Sequence, residues 1–325
     1  MNLSIIILSY NTKNLTKQCL SSIFKYPPKG KFEVIVVDNA SKDGSYEMIQ
    51  KEFPQIKLIL NKKNQGYSKA NNQGLKLAKS NFIILLNSDT KVQKETFKKL
   101  LDFYQKNPKV GAVVPKLLNL DGSTQYFYHR RLPNLRYQIA SLIYNYTPFK
   151  KFRLAQDYFL LKEKFKTNTQ IEQAAGVCIL TTKKVVKKIG GLFDEKLSIF
   201  LNDVDFSFRL KKNNLLIYVV AQSNLIHYRS SSTNQLDPYT LRQEVILSTL
   251  YYLKKNSNFL SYALVKVFIL ILLFSIFLLT FLGLTKKYLM APISNKKLSL
   301  QKQWKNLIAT FIEKRNHPGL TNQNN

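Results

Sequence analysis

The chain has 325 residues, enough for one large domain or two modest ones, and its 45% hydrophobic content supplies a packed core and excludes disorder over most of its length. Fifty Lys and Arg against nineteen Asp and Glu give a formal charge of +31, which favours an anionic surface or ligand without choosing among nucleic acid, acidic lipid and phosphorylated molecules. Cys19 and Cys178 lie far apart without CxxC spacing, which excludes a disulfide framework and a thiolate zinc site and fits a reducing compartment.

The N-terminus has no basic leading region, and its apolar run stops at Ser9-Tyr10-Asn11, so it reads as a strand and not as a signal peptide. Residues 3–8, 33–38, 56–60 and 82–87 are short runs rich in Ile, Val and Leu and predict strands. Helical patterns near 15–26, 45–53, 68–79 and 94–107 lie between and after them, an alternation that predicts an α/β fold with a mostly parallel central sheet flanked by helices. In such sheets ligands collect at the carboxyl ends of the strands. The polar residues Ser9-Tyr10-Asn11, Asp38-Asn39, Asn61 and Asn87-Ser88-Asp89 all follow strand runs, so one edge gathers them.

Beyond residue 110, strands are expected at 111–117, 176–181, 216–220 and 225–228, with a helix beginning near Asp203. The stretch 123–173, rich in Tyr, Phe, Lys and Arg, shows no clear period and receives no assignment. Residues 267–285 carry no charge and no proline, and a helix of that length spans roughly 28 Å against a hydrocarbon core of about 30 Å. A membrane-spanning helix is the expectation; a buried helix, or one lying in the membrane interface beside Lys254, Lys255 and Lys266, is the alternative. Residues 251–325 hold eleven Lys and Arg and a single acid, Glu313, so the tail is basic and suits an anionic leaflet. The expected organisation is a domain over 1–258 with halves 1–110 and 111–258, a hydrophobic segment over 259–285 and a basic tail over 286–325.

Four groups of residues carry chemistry. Asp38 closes the second strand before an Asx- and Gly-rich turn, where a carboxylate can accept hydrogen bonds from a base or ribose or can serve as a turn and helix cap. Asn87 and Asp89 place two oxygen donors two positions apart at the end of a buried strand, an arrangement that suits a hard divalent cation bound to phosphates and equally an exposed turn. Asp194, Glu195, Asp203 and Asp205 form an acidic island in a basic chain; Asp203 and Asp205 fall in one first helical turn about 200° apart, so one is expected as a proton acceptor and the other as a dipole-favoured cap. His227 ends a strand, and its interest rests on the other three groups.

Taken together, the motifs resemble glycosyltransferase family 2, the inverting nucleotide-sugar transferases of GT-A fold, and in particular its rhamnosyltransferase-like branch. They run in family order: Ser4-Ile5-Ile6-Ile7-Leu8-Ser9-Tyr10-Asn11; Val36-Val37-Asp38-Asn39-Ala40-Ser41 with Asp43-Gly44; Asn64-Gln65-Gly66-Tyr67 with Ala70, Asn72 and Gly74; Leu86-Asn87-Ser88-Asp89; Gly190-Gly191-Leu192-Phe193-Asp194-Glu195 leading to Phe200-Leu201-Asn202-Asp203-Val204-Asp205-Phe206; and His227. The resemblance implies a nucleotide site built from Ser9, Tyr10, Asn11, Asp38, Asn64, Gly66, Asn72 and Ser88, with Asp38 on the base. It implies a Mg²⁺ or Mn²⁺ site at Asn87, Asp89 and His227, with Asn87 at the family's first DxD position, and a catalytic base at Asp203. Arg130, Arg131 and Asp205 are placed on the acceptor side.

The activity so implied moves a sugar, rhamnose from dTDP-rhamnose in the first instance, to a hydroxyl of a cell-surface glycan or lipid-linked acceptor, at a membrane with the catalytic domain in the cytoplasm. Two other readings stand beside it. Asn87 and Asn202, where the family usually has acids, would suit a nucleotide-sugar-binding relative without activity. The charge of +31 would suit a nucleic-acid-binding protein, but the cations are dispersed and no recognition motif is present, so no nucleic-acid partner is expected.

Overall fold

Strands β1 (Leu3–Ser9), β2 (Phe32–Asp38) and β4 (Phe82–Asn87) are apolar on both faces and almost wholly buried, which is possible only where helices cover both sides of a sheet. A computed structural model describes residues 2–126, 128–146, 153–161, 163, 165–229 and 238–281. With β3 (Lys57–Leu60) these strands pair in parallel in the order β3-β2-β1-β4, joined by crossover helices α1 (Lys13–Lys25), α2 (Ser45–Glu52) and α3 (Tyr67–Leu77). Gly74 of α3 lies so close to β1 that a Cβ there would strike the Ile6 side chain, so a residue without one lets this helix pack onto the sheet.

The sheet is mixed, not mostly parallel. After β4 come β5 (Thr90–Val92), α4 (Thr96–Lys106), β6 (Val110–Leu118), α5 (Leu135–Tyr146), α6 (Arg153–Tyr158), β7 (Thr169–Ile171), β8 (Cys178–Thr182), α7 (Lys183–Lys188), α8 (Asn202–Lys212) and β9 (Leu216–His227). β8 inserts antiparallel between β4 and β6, β6 and β9 run parallel, and β5 and β7 each pair antiparallel with β9. The βαβ alternation that predicts parallel pairing is confined to the first part of the chain; of the later strands only β6 and β9 pair in parallel, with β7, β8 and four helices between them in sequence. The two strands expected at 216–220 and 225–228 are one strand of 12 residues whose register shifts opposite Pro115 and Lys116 of β6.

The described residues fall into two compact units. The first, from residues 2–132 and 156–229, holds the whole sheet and every candidate site residue. The second, from 133–146, 153–155 and 238–281, contains α5, α9 (Pro238–Asn256) and α10 (Phe259–Phe281), so it takes in chain on both sides of the expected boundary at 258. Among the described residues no helix is long and apolar enough to cross a membrane. The expected hydrophobic segment 267–285 falls on α10 as far as Phe281; its remainder and the basic tail 286–325 lie outside the described residues.

Candidate active site

The register of the parallel strands lines up their carboxyl ends: Ser9 lies opposite Asp38, and Leu8 lies opposite Asn87. Asp38 is fully buried; its Oδ1 accepts the Ser41 amide at 2.9 Å, while Oδ2 has no hydrogen-bond partner. Burial pushes this carboxyl above the ordinary carboxylate range, and the Ser41 hydrogen bonds oppose it. A buried acceptor without a donor is costly, so this oxygen stands out as hydrogen-bonding capacity left unspent at the strand end.

The loop after β1 is clasped to the loop after β2. Asn11, with φ of 49°, donates its amide to Ser41 Oγ at 2.9 Å and accepts the Lys42 amide on Oδ1 at 2.7 Å. Beside it Asn39, Asn61, Asn64 and Gln73 form a web of side-chain amides: Asn39 donates to Asn64 at 2.6 Å, and Asn61 donates to Asn39 at 3.0 Å and to Gln73 at 2.9 Å. Asn64 Oδ1 also accepts the Gly66 amide at 2.9 Å. Gly66 has φ of 80°, and a Cβ there would collide with the Ser198 hydroxyl, so the turn into α3 requires glycine on two counts.

At the end of β4 the structure assembles what the sequence sets far apart. Tyr67 Oη donates to the Gly176 carbonyl at 2.6 Å and lies 3.2 Å from Asn87 Oδ1, while the Gly176 amide donates to Asp203 Oδ2 at 3.0 Å. Asn87 and Asp203 are thereby joined through one tyrosine and the two main-chain groups of one glycine. The Tyr67 hydroxyl is pushed up by burial and by the charges of Asp203 and Asp89, which holds it as a neutral donor. Asp203 occupies the first turn of α8, where Oδ1 accepts the Val204 amide at 2.8 Å and Oδ2 also accepts Gln173 Nε2 at 3.1 Å. Burial raises its carboxyl above the usual range; Arg130 and the surrounding amides pull it back.

Asp89 and His227 are brought side by side by the β5–β9 ladder, in which Thr90 pairs with His227 and the Tyr228 amide donates to the Asp89 carbonyl at 2.9 Å. His227 Nε2 stands 3.4 Å from Asp89 Oδ1, both residues are buried, and Tyr128 meets the imidazole edge to face at 4.9 Å. A carboxylate oxygen beside an imidazole nitrogen is a pair of donors that suits Mg²⁺ or Mn²⁺, and Asn87, two residues before Asp89, is a further oxygen donor of compatible chemistry. Among the described residues no three His, Cys, Asp or Glu side chains converge as a metal cage, so an ion held here would take donor phosphates and water as its further ligands.

Several expected site residues point elsewhere. Ser9 is fully buried with its hydroxyl on Thr16, and Ser88 is buried with its hydroxyl 3.1 Å from Thr12, so both brace the start of α1 instead of facing a nucleotide. Asn72 donates to the Phe193 carbonyl at 3.0 Å and to Glu195 at 3.2 Å, and accepts the Phe193 amide at 3.2 Å; it fastens the Gly190–Glu195 loop to α3. Arg131 pairs with Asp157 at 3.0 Å, which commits its charge away from an acceptor. Asp205 is fully buried against Arg209 at 2.8 Å, and Arg209 also donates to the carbonyls of Ile189, Gly191 and Leu192, so this pair shapes the loop before α8 and has no acceptor-facing surface. Tyr10 is half-buried beside Asn11, and Arg130 is the basic residue that faces Asp203. Tyr67 and Gly176 carried a signal, as part of a motif and as the start of an expected strand; Gln173 and Gln125 sit in the stretch without a period. Cys19 and Cys178 are buried free thiols, and burial holds Cys19 up at about 12, so neither serves as a nucleophile.

Removing one member of the Asp205–Arg209 pair leaves a mostly enclosed charge without its partner. Asp205→Ala is expected to lower folding stability by about 3 kcal/mol, the lower end of the range for buried pairs because Arg209 keeps an edge in solvent. Urea denaturation followed by circular dichroism checks this; an unchanged midpoint would remove the pair from the folding of α8.

Comparison with known proteins gives the family and the fold. The family model described as "Glycosyl transferase family 2" matches residues 4–190. An N-acetylglucosaminyl-diphospho-decaprenol L-rhamnosyltransferase of Mycobacterium tuberculosis is 26% identical over 217 residues, covering 63% of this chain and 69% of that one. The poly(ribitol-phosphate) beta-N-acetylglucosaminyltransferase TarS of Staphylococcus aureus is 29% identical over 160 residues, 48% of this chain and 28% of TarS. Among solved structures, residues 1–349 of S. aureus TarS superpose with a TM-score of 0.52 at 20% identity, covering 96% of this chain and 80% of that one. GalNAc-T7 with UDP, GalNAc and Mn²⁺ gives a TM-score of 0.53 at 16% identity, covering 78% and 50%. At these identities the structural likeness speaks for the fold, and it is the GT-A-like arrangement of a mixed sheet flanked by helices. With the family model spanning more than half of its length, the chain belongs to glycosyl transferase family 2.

Proposed function

We propose that the protein is an inverting, metal-dependent glycosyltransferase that moves a sugar from a nucleoside-diphosphate donor to a hydroxyl of a glycan or lipid-linked acceptor in polysaccharide or cell-wall synthesis. The observation that carries this reading is the Asn87–Tyr67–Gly176–Asp203 connection, which fixes a raised, half-buried carboxylate at a set position relative to the phosphate end of a nucleotide pocket. The orphan Oδ2 of Asp38 fits the imino N–H of uracil or thymine, whereas cytosine presents a bare nitrogen at the same position. Asp203 takes the proton of the acceptor hydroxyl as its oxygen bonds to the anomeric carbon and the bond from that carbon to the diphosphate breaks. Attack from the face opposite the leaving group inverts the centre. Asp89 and His227, with Asn87, would hold Mg²⁺ or Mn²⁺, which when bound offsets the charge of the departing diphosphate. L-rhamnose is the proposed sugar, supported by the name of the mycobacterial relative and by the motifs of the rhamnosyltransferase-like branch.

Asp203→Asn is expected to abolish transfer while nucleoside-diphosphate binding stays within about threefold, because its side chain belongs to the base and not to the nucleotide pocket. Equal loss of binding by calorimetry would make Asp203 a structural or metal residue. Since the folded environment raises its carboxyl, the base is lost as pH falls, and kcat/KM should decline at a pH above the ordinary aspartate value of about 3.9. A second calorimetric series separates donors: dTDP and UDP should bind at least tenfold more tightly than CDP, and Asp38→Ala should erase the difference.

Membrane association is part of the proposal. On α10, Leu260, Leu264, Val267, Ile271, Phe274 and Leu278 are exposed at helical spacing while Val265 and Ile269 are buried, and the exposed Lys254 and Lys255 precede the helix. An apolar stripe beside cations suits a helix lying in the interface of an anionic leaflet, on the side where nucleotide sugars are made, with the catalytic unit cytoplasmic. Replacing Ile271 and Phe274 together by Asp should reduce co-sedimentation with anionic vesicles at least tenfold; undiminished pelleting would place the attachment elsewhere in the chain.

A further inference from the structure

Gln125 is buried in the short excursion after β6, where its amide donates to the Leu117 carbonyl at 2.8 Å and Leu118 bridges to Thr124. Its side chain touches His227 twice. Nε2 donates to the His227 main-chain carbonyl at 2.6 Å, and Oε1 lies 3.0 Å from His227 Nδ1. The first contact settles the second: a carbonyl only accepts, so the amide group facing it is the NH₂, and the atom facing the ring is the oxygen. An oxygen that only accepts requires a proton on Nδ1. In the neutral ring the lone pair then sits on Nε2, the nitrogen that faces Asp89 Oδ1 at 3.4 Å. Two acceptors directed at one another are repulsive unless a second ring proton or a metal cation lies between them, and the two cases differ in whether Nε2 carries hydrogen.

We propose that Gln125 is a positioning residue that fixes His227 in the Nδ1–H tautomer and so presents Nε2 beside Asp89 as a ligand for a divalent cation. This rests on the metal reading above and extends it to a residue with no place in that reading. Gln125 makes no contact with the cation. It acts through the ring, as a partner that sets both tautomer and orientation. Tyr128 across the imidazole adds the second restraint, since rotation about the ring axis would move the face it packs on.

The test reads tautomer and affinity separately, on the full-length protein. The chain has three histidines, His129, His227 and His317, so ring ¹⁵N spectra are simple, and His227→Gln assigns the His227 signals. With saturating Mg²⁺ the wild type is expected to show a protonated Nδ1 and an unprotonated Nε2 at His227; the reverse pattern overturns the proposal without any variant at Gln125. Gln125→Leu is expected to lose the Nδ1–H tautomer and to weaken Mn²⁺ binding, measured calorimetrically, by about 10–100-fold. Gln125→Glu, whose protonated carboxyl can donate to the His227 carbonyl while its other oxygen accepts from Nδ1, should restore both. Wild-type Mn²⁺ binding that is unaffected by Asp89→Ala would overturn the metal reading itself. Asp89-dependent binding that Gln125→Leu leaves unchanged would overturn only the role of Gln125.

Discussion

A strand buried on both faces tolerates an ionised side chain only where a counter-charge and donors meet it: in β1, β2 and β4 the one charged residue before the strand ends is Glu33, near the start of β2, held by Lys57, Ser4 and the Lys79 amide. The chemistry of this protein is therefore forced to the points where the strands stop. There the register brings Ser9, Asp38 and Asn87 to one edge, where the Ser9 hydroxyl meets Thr16, the Asp38 carboxylate meets the Ser41 amide and the Asn87 side chain meets the Tyr67 hydroxyl. The antiparallel strand β8 extends the same edge: its approach through Ala175, Gly176 and Val177 delivers the Gly176 amide to Asp203 and the Val177 carbonyl to the Asn87 amide, at 2.9 Å. One peptide segment thus carries the hydrogen bonds that tie the end of β4 to the start of α8.

Beyond the edge, a division of labour separates residues that face the pocket from residues that hold the loops in shape. The Asp205–Arg209 pair, Asn72 and the amide web around Asn39 and Asn64 are as polar as the residues they support, yet nearly all their hydrogen-bonding capacity is spent within the protein. Asp38 Oδ2 differs in having no partner, and Asp203 differs in being held where burial and charge oppose each other. An unspent acceptor and a raised carboxylate both cost folding free energy, and such costs concentrate where a ligand or a proton is to be received.

Much of this was legible in the sequence because hydrophobic period and strand-end polarity are local signals. Strand β4 was expected over the residues it occupies, and the others of the first sheet half within one or two residues of their ends. The three-residue strands β5 and β7 were not legible, since three residues carry no period, although β5 is what sets Asp89 against His227. Helices α5, α6 and α9 lie in stretches where aromatic and basic residues blur any amphipathic pattern. At the site, spacing named Asp38, Asp89, Asp203 and His227, but could not tell a carboxylate that faces the pocket from one that faces an arginine. Asp203 and Asp205 stand in the same helical turn with opposite fates, and only the position of Arg209 one turn later, bent back over three carbonyls, distinguishes them.

The setting of Asp203 follows from two effects of opposite sign, and neither alone would make a useful base. Burial alone would keep the carboxyl protonated, with nothing to accept a proton; Arg130 alone would stabilise the carboxylate and weaken its affinity for one. Gln173 links the two, since its main chain bridges Arg130 in both directions while its side chain donates to Asp203. The loop that carries Arg130 is therefore tied by hydrogen bonds to the carboxylate it tunes. The distance from the guanidinium to the carboxylate sets the proton affinity of Asp203 as much as burial does.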